Sequence, residues 1–353
     1  MKAISLFSGM GGDSLAIKNC GLKLVCYSEK EKKFCETHDK NFNPKICKLL
    51  GNGDITKTTD EEIIKYKNKK IDLVFAGFPC QGFSNAGKKL PSDPRNTLFR
   101  EFLRVTKLLK PKYIIGENVK GLLSRKTDSE ENYIDVIEEE FSKLGYHMNS
   151  QVMKAHKYGV PQKRERLIIV GVLDGPKFEF PTELDTKPNL LNIVNFDMTG
   201  AIKINEDNPN YKVFKNIPEE CILTNMENDE DINEPHPNLK LLANDVDYQY
   251  GGKTYPNRLS FSKRDSSIHG EIIDIRNPCK TIICTYARQP RLFVPLKNKN
   301  GYYLRCLLPD ELKQIQGFPK DYILTGKTSN QIVMIGNAVP PPLIEIIINK
   351  LIF

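Results

Sequence analysis

The first ~170 residues alternate short apolar runs with longer stretches of helical periodicity, and this alternation constrains the fold more than any other feature. Apolar runs stand at 3–7 (AISLF), 22–28 (LKLVCYS), 71–77 (IDLVFAG), 113–118 (YIIGEN) and 166–172 (RLIIVGV). Between them, 14–20, 30–41, 60–67, 98–109 and 133–144 read as helices. In the last of these, Ile134, Ile137, Phe141 and Leu144 recur at the spacing of one buried helix face. Strand and helix in strict alternation predict βαβ units and a largely parallel sheet, a doubly wound, Rossmann-like α/β fold.

From about 174 the pattern breaks: prolines, asparagines and acidic residues dominate and periodicity weakens. A length of 353 residues accommodates one large core and a second, smaller lobe. The expected division is therefore a main domain of 1–173 plus 330–353, and a small, mostly β or irregular domain over 174–329. PDELKQIQGF (309–318) reads as a short helix ended by Gly317 and Pro319. The apolar 343–353, entered through three prolines, reads as a terminal helix packing back on the main domain.

Charge is unevenly placed. The chain carries a net +8, yet 205–247 holds eleven acidic and three basic side chains, so the remainder is near +16. Basic runs occur at 83–110 and 151–166. Taken singly, each also fits solvated lysines on a helix face; together they favour a polyanionic partner. Nine cysteines without a CxxC pair or a Cys/His zinc spacing fit a reduced compartment and no metal. No apolar stretch reads as a membrane span of ~20 residues, and MKAISLFSGMGG is too glycine-broken for a signal peptide. The expectation is an intracellular protein without a membrane partner.

FSGMGG (7–12) follows the first strand and opens a helix, so its glycines allow a tight turn and a close ligand approach at a helix N-terminus. Glu29 stands twenty residues after Gly9 at the end of the second strand, where such sheets hold the acid that bonds a ribose hydroxyl. Asp54, in GNGDIT, is suited to accept from an adenine amino group. The glycines lack the longer G-x-G-x-x-G form and no Walker lysine follows. A nucleoside carrying a carboxylate, such as S-adenosylmethionine, fits better than a pyrophosphate; NAD or FAD is the rival.

Cys80 in GFPCQGFS and Glu117 in GENV end successive strands, which places both at the carboxyl edge of the sheet. A thiolate is a nucleophile, and cations such as Arg164 and Arg166 in PQKRER favour it. Pro79 and Gly82 would fix the sulfur's direction. A lone cysteine is usually a buried apolar side chain. Cys, Glu and paired Arg on strand ends form a more specific set.

In order along the chain, FSGMGG, Glu29, GDI (53–55), GFPCQGFS, DPRNTLF (93–99), ENV (117–119), QKRER (162–166), LPDELKQIQGFP (308–319) and GNAVP (336–340) resemble the C5-cytosine-specific DNA methyltransferases of type II restriction-modification systems. The resemblance implies an enzyme that transfers methyl from S-adenosylmethionine to C5 of a flipped-out cytosine in double-stranded DNA through a covalent Cys80–C6 adduct, with no metal. By position, Phe7, Gly9, Gly11, Glu29, Asp54, Ile55, Pro79, Leu98, Asn337 and Val339 would line the cofactor pocket. Cys80 would be the nucleophile, Glu117 would bond N3 and the exocyclic amine, and Arg166 would contact the base near O2. Asn118 and Arg164 would support the site.

Ser84, Lys88 and Lys89 would touch phosphates. Readout of the DNA sequence would come from a target-recognition region at about 180–275. There Arg258, Lys263, Arg264 and His269 sit among serines, and the acidic 219–234 would point away from DNA. NPCKTIICTYARQP (277–290) resembles the segment that organises that region, although Cys279 and Lys280 are unusual there. A monomer is expected, with a cognate restriction endonuclease acting separately. Three rivals stand beside this reading. A tRNA cytosine methyltransferase would carry Cys-Phe-Thr where this chain has CILT (221–224). A catalytically silent relative would leave the filled catalytic positions idle. A nicotinamide-dependent enzyme would leave Cys80, Glu117 and the arginines unexplained.

Overall fold

The computed structural model describes residues 1–79, 98–127, 130–204, 217–230, 241–242, 248–250, 253–255, 260–261, 271–287 and 290–353. Its main sheet has seven strands: β1 (Lys2–Leu6), β2 (Lys23–Ser28), β3 (Lys48–Leu49), β4 (Leu73–Ala76), β5 (Tyr113–Val119), β6 (Tyr146–Lys154) and β7 (Glu165–Leu173). Their order is β3-β2-β1-β4-β5-β7-β6. The pairs from β3 to β5 are parallel, whereas β7 runs antiparallel to both β5 and β6. The expected largely parallel α/β sheet is present. β3 and β6 go beyond the sequence reading, because one is two residues long and the other, YHMNSQVMK, has no continuous apolar run at the sheet's edge.

Alternate residues of the same strands feed two separate cores. Ala3, Leu73, Phe75, Ile115, Ile168 and Val170 face one cluster, shared with Leu15 and Ala16 of helix α1 (Gly12–Asn19), Phe34 of α2 (Lys32–Asn41) and Leu343, Ile344 and Ile347 of the terminal helix Pro341–Ile352. Ile4, Leu6, Val74, Ala76, Ile114, Leu167 and Ile169 face the other, covered by α3 (Asp60–Ile64), α4 (Phe99–Leu109) and α5 (Tyr133–Ser142). Burial on both faces is why these strands read as unbroken apolar runs.

α4 shows how local sequence sets an element. Phe99, Phe102, Val105 and Leu109 recur at three- and four-residue steps and are all buried, each side chain contributing roughly 1.5–3 kcal/mol on burial. Lys110 ends the helix in the left-handed conformation, φ 45°, and Pro111 prevents its continuation. Phe102→Ala would open a cavity and cost about 3–5 kcal/mol.

A second sheet joins β8 (Ile202–Ile204), β9 (Leu223–Asn225), β14 (Glu271–Ile272), β15 (Leu292–Asn298) and β16 (Gly301–Cys306) around the central β15–β16 hairpin. Two small antiparallel ladders pair β10 (Leu241–Leu242) with β13 (Ser260–Phe261) and β11 (Tyr248–Tyr250) with β12 (Lys253–Tyr255). The inner residues Val294, Leu296 and Tyr303 belong to the same cluster as one face of the main sheet, so the core is continuous between the sheets. Arg305 pins β16 to the helix Pro309–Ile315 through a bidentate pair with Glu311 at 2.7 and 2.8 Å, and bonds the carbonyls of Asp197 and Asn195.

Thr328–Ile352 spans 25 residues, and its most apolar 18-residue window has mean hydropathy 1.5 and is 67% buried inside the protein. It folds as two helices, Thr328–Asn337 and Pro341–Ile352, parted by Ala338–Val339–Pro340. The first of these went unread in the sequence because TSNQIVMIGN mixes polar and apolar residues without a clear face.

Candidate active site

The carboxyl ends of β1, β2, β4 and β5 converge at one edge of the sheet, beside the point where strand order reverses between β1 and β4. Ligands in open α/β sheets bind at such a switch point. Phe7 leaves β1 with φ 57°, a strained value for a residue with a side chain, and Gly9 and Gly11 follow at 56° and 97°. The loop is held from beneath. The Phe7 amide donates to Ser28 Oγ (3.2 Å), the Ser8 amide to the Ser28 carbonyl (2.9 Å), and the Gly9 amide to Glu29 Oε2 (2.9 Å).

Glu29 therefore fixes the glycine loop; its other oxygen accepts from the Glu31 amide at 2.8 Å. Burial raises its pKa against the pull of those amides. Space beside the loop is unequal. Among the described residues, a Cβ on Gly9 would meet nothing within 4 Å, whereas one on Gly12 would stand 2.2 Å from the Val339 carbonyl oxygen. The open side of Gly9 leaves room for close approach to the backbone, and the closed side of Gly12 is the seat of GNAVP. Val339 is buried there, and Asn337 is exposed at the preceding helix end.

Asp54 caps the short 3₁₀ turn Ile55–Lys57, accepting from the Thr56 amide (3.2 Å) and hydroxyl (2.7 Å), with Lys30 Nζ at 3.5 Å from its other oxygen. Ile55 is buried beneath it. Arg104 of α4 locks this turn by donating to the carbonyls of Ile55 (2.9 Å) and Thr58 (3.0 Å) while pairing with Asp60 and Glu101. Arg104 belongs to the basic run at 83–110, and the fold directs its guanidinium onto this turn. Leu98, half-buried, is the N-cap residue of α4.

Glu117 and Arg166 form the charged centre of this edge. Glu117 Oε1 lies 2.8 Å from Arg166 Nε, and both side chains are 14% exposed. Antiparallel register sets Val119 opposite Arg166, so Glu117 is its diagonal neighbour on the same face. A Cβ on Gly77 would lie 3.8 Å from Glu117 Oε2 and 3.7 Å from the Phe7 carbonyl. The ends of β1, β4 and β5 thus meet around this carboxylate. Asn118, buried, donates from Nδ2 to the Phe78 carbonyl at 3.1 Å and so ties β5 to the turn that leads through Pro79. Burial lowers the Arg166 pKa, and the Glu117 carboxylate offsets only part of that fall.

Arg164 does different work. Its side chain is buried and its guanidinium donates to the carbonyls of Ile282 (3.0 Å), Gly336 (3.1 Å) and Ala338 (3.0 Å). Gln162 adds to the same junction, accepting from the Ile282 amide (2.8 Å) and donating to Gln316 (2.6 Å), whose own amide reaches the Ala338 carbonyl. Gln162 and Gln316 carried no assigned role in the sequence; their place inside QKRER and LKQIQGFP was the available signal. Cys80, Ser84, Lys88, Lys89, Arg258, Lys263, Arg264 and His269 lie outside the described residues. Among the described residues, no group of three or more His, Cys, Asp or Glu side chains is placed to hold a metal ion, and eight cysteines are free thiols.

The family model for C-5 cytosine-specific DNA methylase matches residues 1–352. The chain belongs to that family. Among relatives of this methylase, the type II methyltransferase M1.HphI of Haemophilus parahaemolyticus is 31% identical over 357 residues, covering 98% of this chain and 84% of that protein. The type II methyltransferase M.FnuDI of Fusobacterium nucleatum is 30% identical over 358 residues, covering 99% and 94%. A solved structure of a Spodoptera frugiperda DNMT2 mutant shares the methylase fold at TM-score 0.65 and 17% identity, covering 100% of this chain and 99% of that one.

Proposed function

We propose that this methylase transfers a methyl group from S-adenosylmethionine to C5 of a cytosine flipped out of double-stranded DNA, through a covalent bond between Cys80 and C6. The observation that carries the reading is the Glu117–Arg166 pair, 2.8 Å apart at the carboxyl edge, next to the Phe78–Pro79 turn that Asn118 holds and Cys80 follows.

The cradle fits the methyl donor: the open side of Gly9, the Glu29 carboxylate and the Asp54 turn offer a close backbone approach, an acceptor for ribose and an acceptor for adenine. Phe7, Gly11, Ile55, Pro79, Leu98, Asn337 and Val339 would complete its walls. When bound, S-adenosylmethionine supplies an electrophilic methyl on a sulfonium. The Cys80 thiolate adds to C6 while Glu117 donates a hydrogen bond or proton toward N3, which makes C5 nucleophilic. C5 takes the methyl as the sulfonium carbon–sulfur bond breaks. Transfer of the C5 proton to solvent water then re-forms the C5–C6 double bond and expels the Cys80 thiolate. Arg166 holds Glu117 and approaches O2, and Arg164 acts through the backbone it grips.

Extrusion of the base costs a few kcal/mol, and phosphate contacts from Ser84, Lys88 and Lys89 would offset part of it. Arg258, Lys263 and Arg264 would lie in the target-recognition region, within a small domain over 174–329 set against a catalytic domain of 1–173 plus 330–353. We read the protein as an intracellular monomer, the methylating half of a restriction-modification pair whose endonuclease acts separately. The test is to methylate unmodified DNA with labelled S-adenosylmethionine and map the product. C5-methylcytosine at one recurring sequence, abolished in Cys80→Ser, is expected. Methyl groups on adenine or on cytosine N4, or full activity in Cys80→Ser, would overturn the reading.

A further inference from the structure

Directly beneath the glycine loop lies a run of buried polar side chains that the reaction above does not use. Asp13, in the first turn of α1, is 2% exposed. Ser5 donates to its Oδ2, and Ser8 Oγ lies 3.3 Å from its Oδ1. Ser8 Oγ is 2.8 Å from Ser14 Oγ, and Ser14 Oγ is 3.0 Å from Nε2 of the fully buried His38. The imidazole stacks on Tyr27 at 3.6 Å, and among the described residues its buried Nδ1 has no hydrogen-bond partner. That nitrogen lies 3.8 Å from Oδ1 of Asp39, a carboxylate that accepts from the Tyr27 hydroxyl at 2.7 Å and is 40% exposed.

Each hydroxyl in this run has one hydrogen to give, so its direction is settled at the two ends. If Asp13 is ionised, His38 Nε2–H must donate to Ser14, Ser14 to Ser8, and Ser8 to Asp13. The Nδ1 lone pair then faces the Asp39 carboxylate, two electron-rich groups opposed. If Asp13 holds a proton on Oδ1, while Oδ2 goes on accepting from Ser5, every donor along the run reverses: Asp13 to Ser8, Ser8 to Ser14, Ser14 to Nε2, and the imidazole hydrogen sits on Nδ1, aimed at Asp39. The second arrangement leaves no buried charge at Asp13 and removes the opposition at Asp39.

The run touches the loop at two points. Ser8 is itself a loop residue whose carbonyl accepts from the Gly11 amide at 2.9 Å. Gly11 packs on the far end: a Cβ there would meet Phe42 at 2.7 Å, Tyr322 Oη at 2.9 Å and His38 Cδ2 at 3.0 Å. Tyr322 also donates to the Met10 carbonyl.

We propose that Asp13 and His38 are positioning residues for the cofactor loop, coupled through Ser8 and Ser14 so that uptake of one proton from solvent leaves Asp13 protonated and the imidazole hydrogen on Nδ1 instead of Nε2, and that the loop takes its binding geometry only while Asp13 is protonated. The proposal rests on reading this loop as the S-adenosylmethionine site. The surroundings bear on Asp13 in both directions. Ser5, Ser8 and the Asp13 and Ser14 amides favour the carboxylate, but burial outweighs them and pushes the carboxyl up to about 7. Cys47 and Tyr322 lie within its electrostatic reach and are themselves driven toward their neutral forms by burial. Around His38 stand Tyr27 and Asp39, with Cys35 behind them and Lys18 over the neighbouring Phe42 ring. Burial lowers the pKa of His38, which keeps the ring neutral.

The test joins a spectroscopic readout with a binding one. In cofactor-free protein, ¹⁵N NMR of the His38 ring, assigned by its loss in His38→Gln, is expected to show the Nδ1–H tautomer at pH 6 and the Nε2–H tautomer by pH 8.5. Asp13→Asn, whose amide donates to Ser8 and whose oxygen accepts from Ser5, should hold the Nδ1–H tautomer throughout. Calorimetric titration with S-adenosylmethionine should show wild-type affinity falling by up to about tenfold per pH unit above the transition. Affinity of Asp13→Asn should stay flat at the wild-type value of pH 6, and Asp13→Ala should bind poorly at every pH. An Nε2–H ring at pH 6, a tautomer indifferent to pH, or the same pH slope in wild type and Asp13→Asn would overturn the proposal. If the tautomer switches as expected but S-adenosylmethionine binds at no pH, the cofactor reading fails, and with it the loop-positioning role, leaving only the coupled protonation.

Discussion

Glu117 on β5 and Arg166 on β7 meet across an antiparallel pair, carboxylate oxygen to guanidinium nitrogen at 2.8 Å, although 48 residues separate them in the chain. The register that sets Arg166 opposite Val119 places both charges on one face, where the ends of β1 and β4 also arrive. The first prediction concerns this pair. Glu117→Gln keeps the shape but removes the proton donor, and methyl transfer should fall by about 10²–10⁴-fold. Affinity for S-adenosylmethionine should change little, because the glycine loop does not depend on Glu117. Single-turnover kinetics beside equilibrium cofactor binding would separate the two.

Arg164 predicts a different signature. Three backbone carbonyls share its buried guanidinium. A lysine cannot serve three carbonyls in that planar arrangement. Arg164→Lys should cost about 3 kcal/mol in urea unfolding, from lost charge-assisted bonds at about 1.5–3 kcal/mol each with partial relaxation. Cofactor affinity should weaken with it, because the freed carbonyls of Gly336 and Ala338 lie within GNAVP itself.

The loop glycines should separate by function. Gly12→Ala drives a methyl into the Val339 carbonyl, and should lower stability by about 1–3 kcal/mol. Gly9→Ala meets no atom of the described residues, so its positive φ sets the stability cost, about 1 kcal/mol. Its methyl would occupy the cradle and weaken S-adenosylmethionine binding far more than it destabilises the fold. Thermal unfolding and cofactor titration of both variants would check the contrast.

Asp13 makes stability depend on pH with a definite sign. Its folded-state value is raised to about 7 from 3.8, so between those values the folded protein binds more protons than the unfolded chain. The stability tied to its protonated form is present in full below about pH 4 and is lost as pH rises to 7, by up to about 4 kcal/mol. Asp13→Asn should remove this slope. Urea unfolding at pH 5 and pH 8 should therefore show the variant gaining on wild type at the higher pH; an equal difference at both values would contradict it.

Much of this was legible in the chain itself. Strands buried on both faces had to be continuously apolar, so β1, β2, β4, β5 and β7 announced themselves, and FSGMGG, Glu29, GENV and QKRER fell at the ends of those strands by simple counting. Less legible were elements whose stability comes from a neighbour. β6 is an edge strand of mixed polarity whose nine residues are ordered by pairing with β7. The helix Thr328–Asn337 has no clear apolar face of its own and is set by packing on its neighbours.

The sequence by itself determined the layered α/β fold, the family and the residue types at the site, because strand periodicity and turn chemistry are local properties. Only the tertiary structure decided the partners. Arg104 was one basic residue in a run, and the fold spends it on the Asp54 turn. Arg164 and Arg166 stand two apart in QKRER, yet one grips three carbonyls and the other a carboxylate. Ser5, Ser8, Asp13, Ser14 and His38 show no pattern in the chain and become a single hydrogen-bonded run beneath the glycine loop. A hydrogen bond or ion pair is fixed by the distance and angle between two atoms, and between residues far apart in the chain those are set by how strands and helices pack.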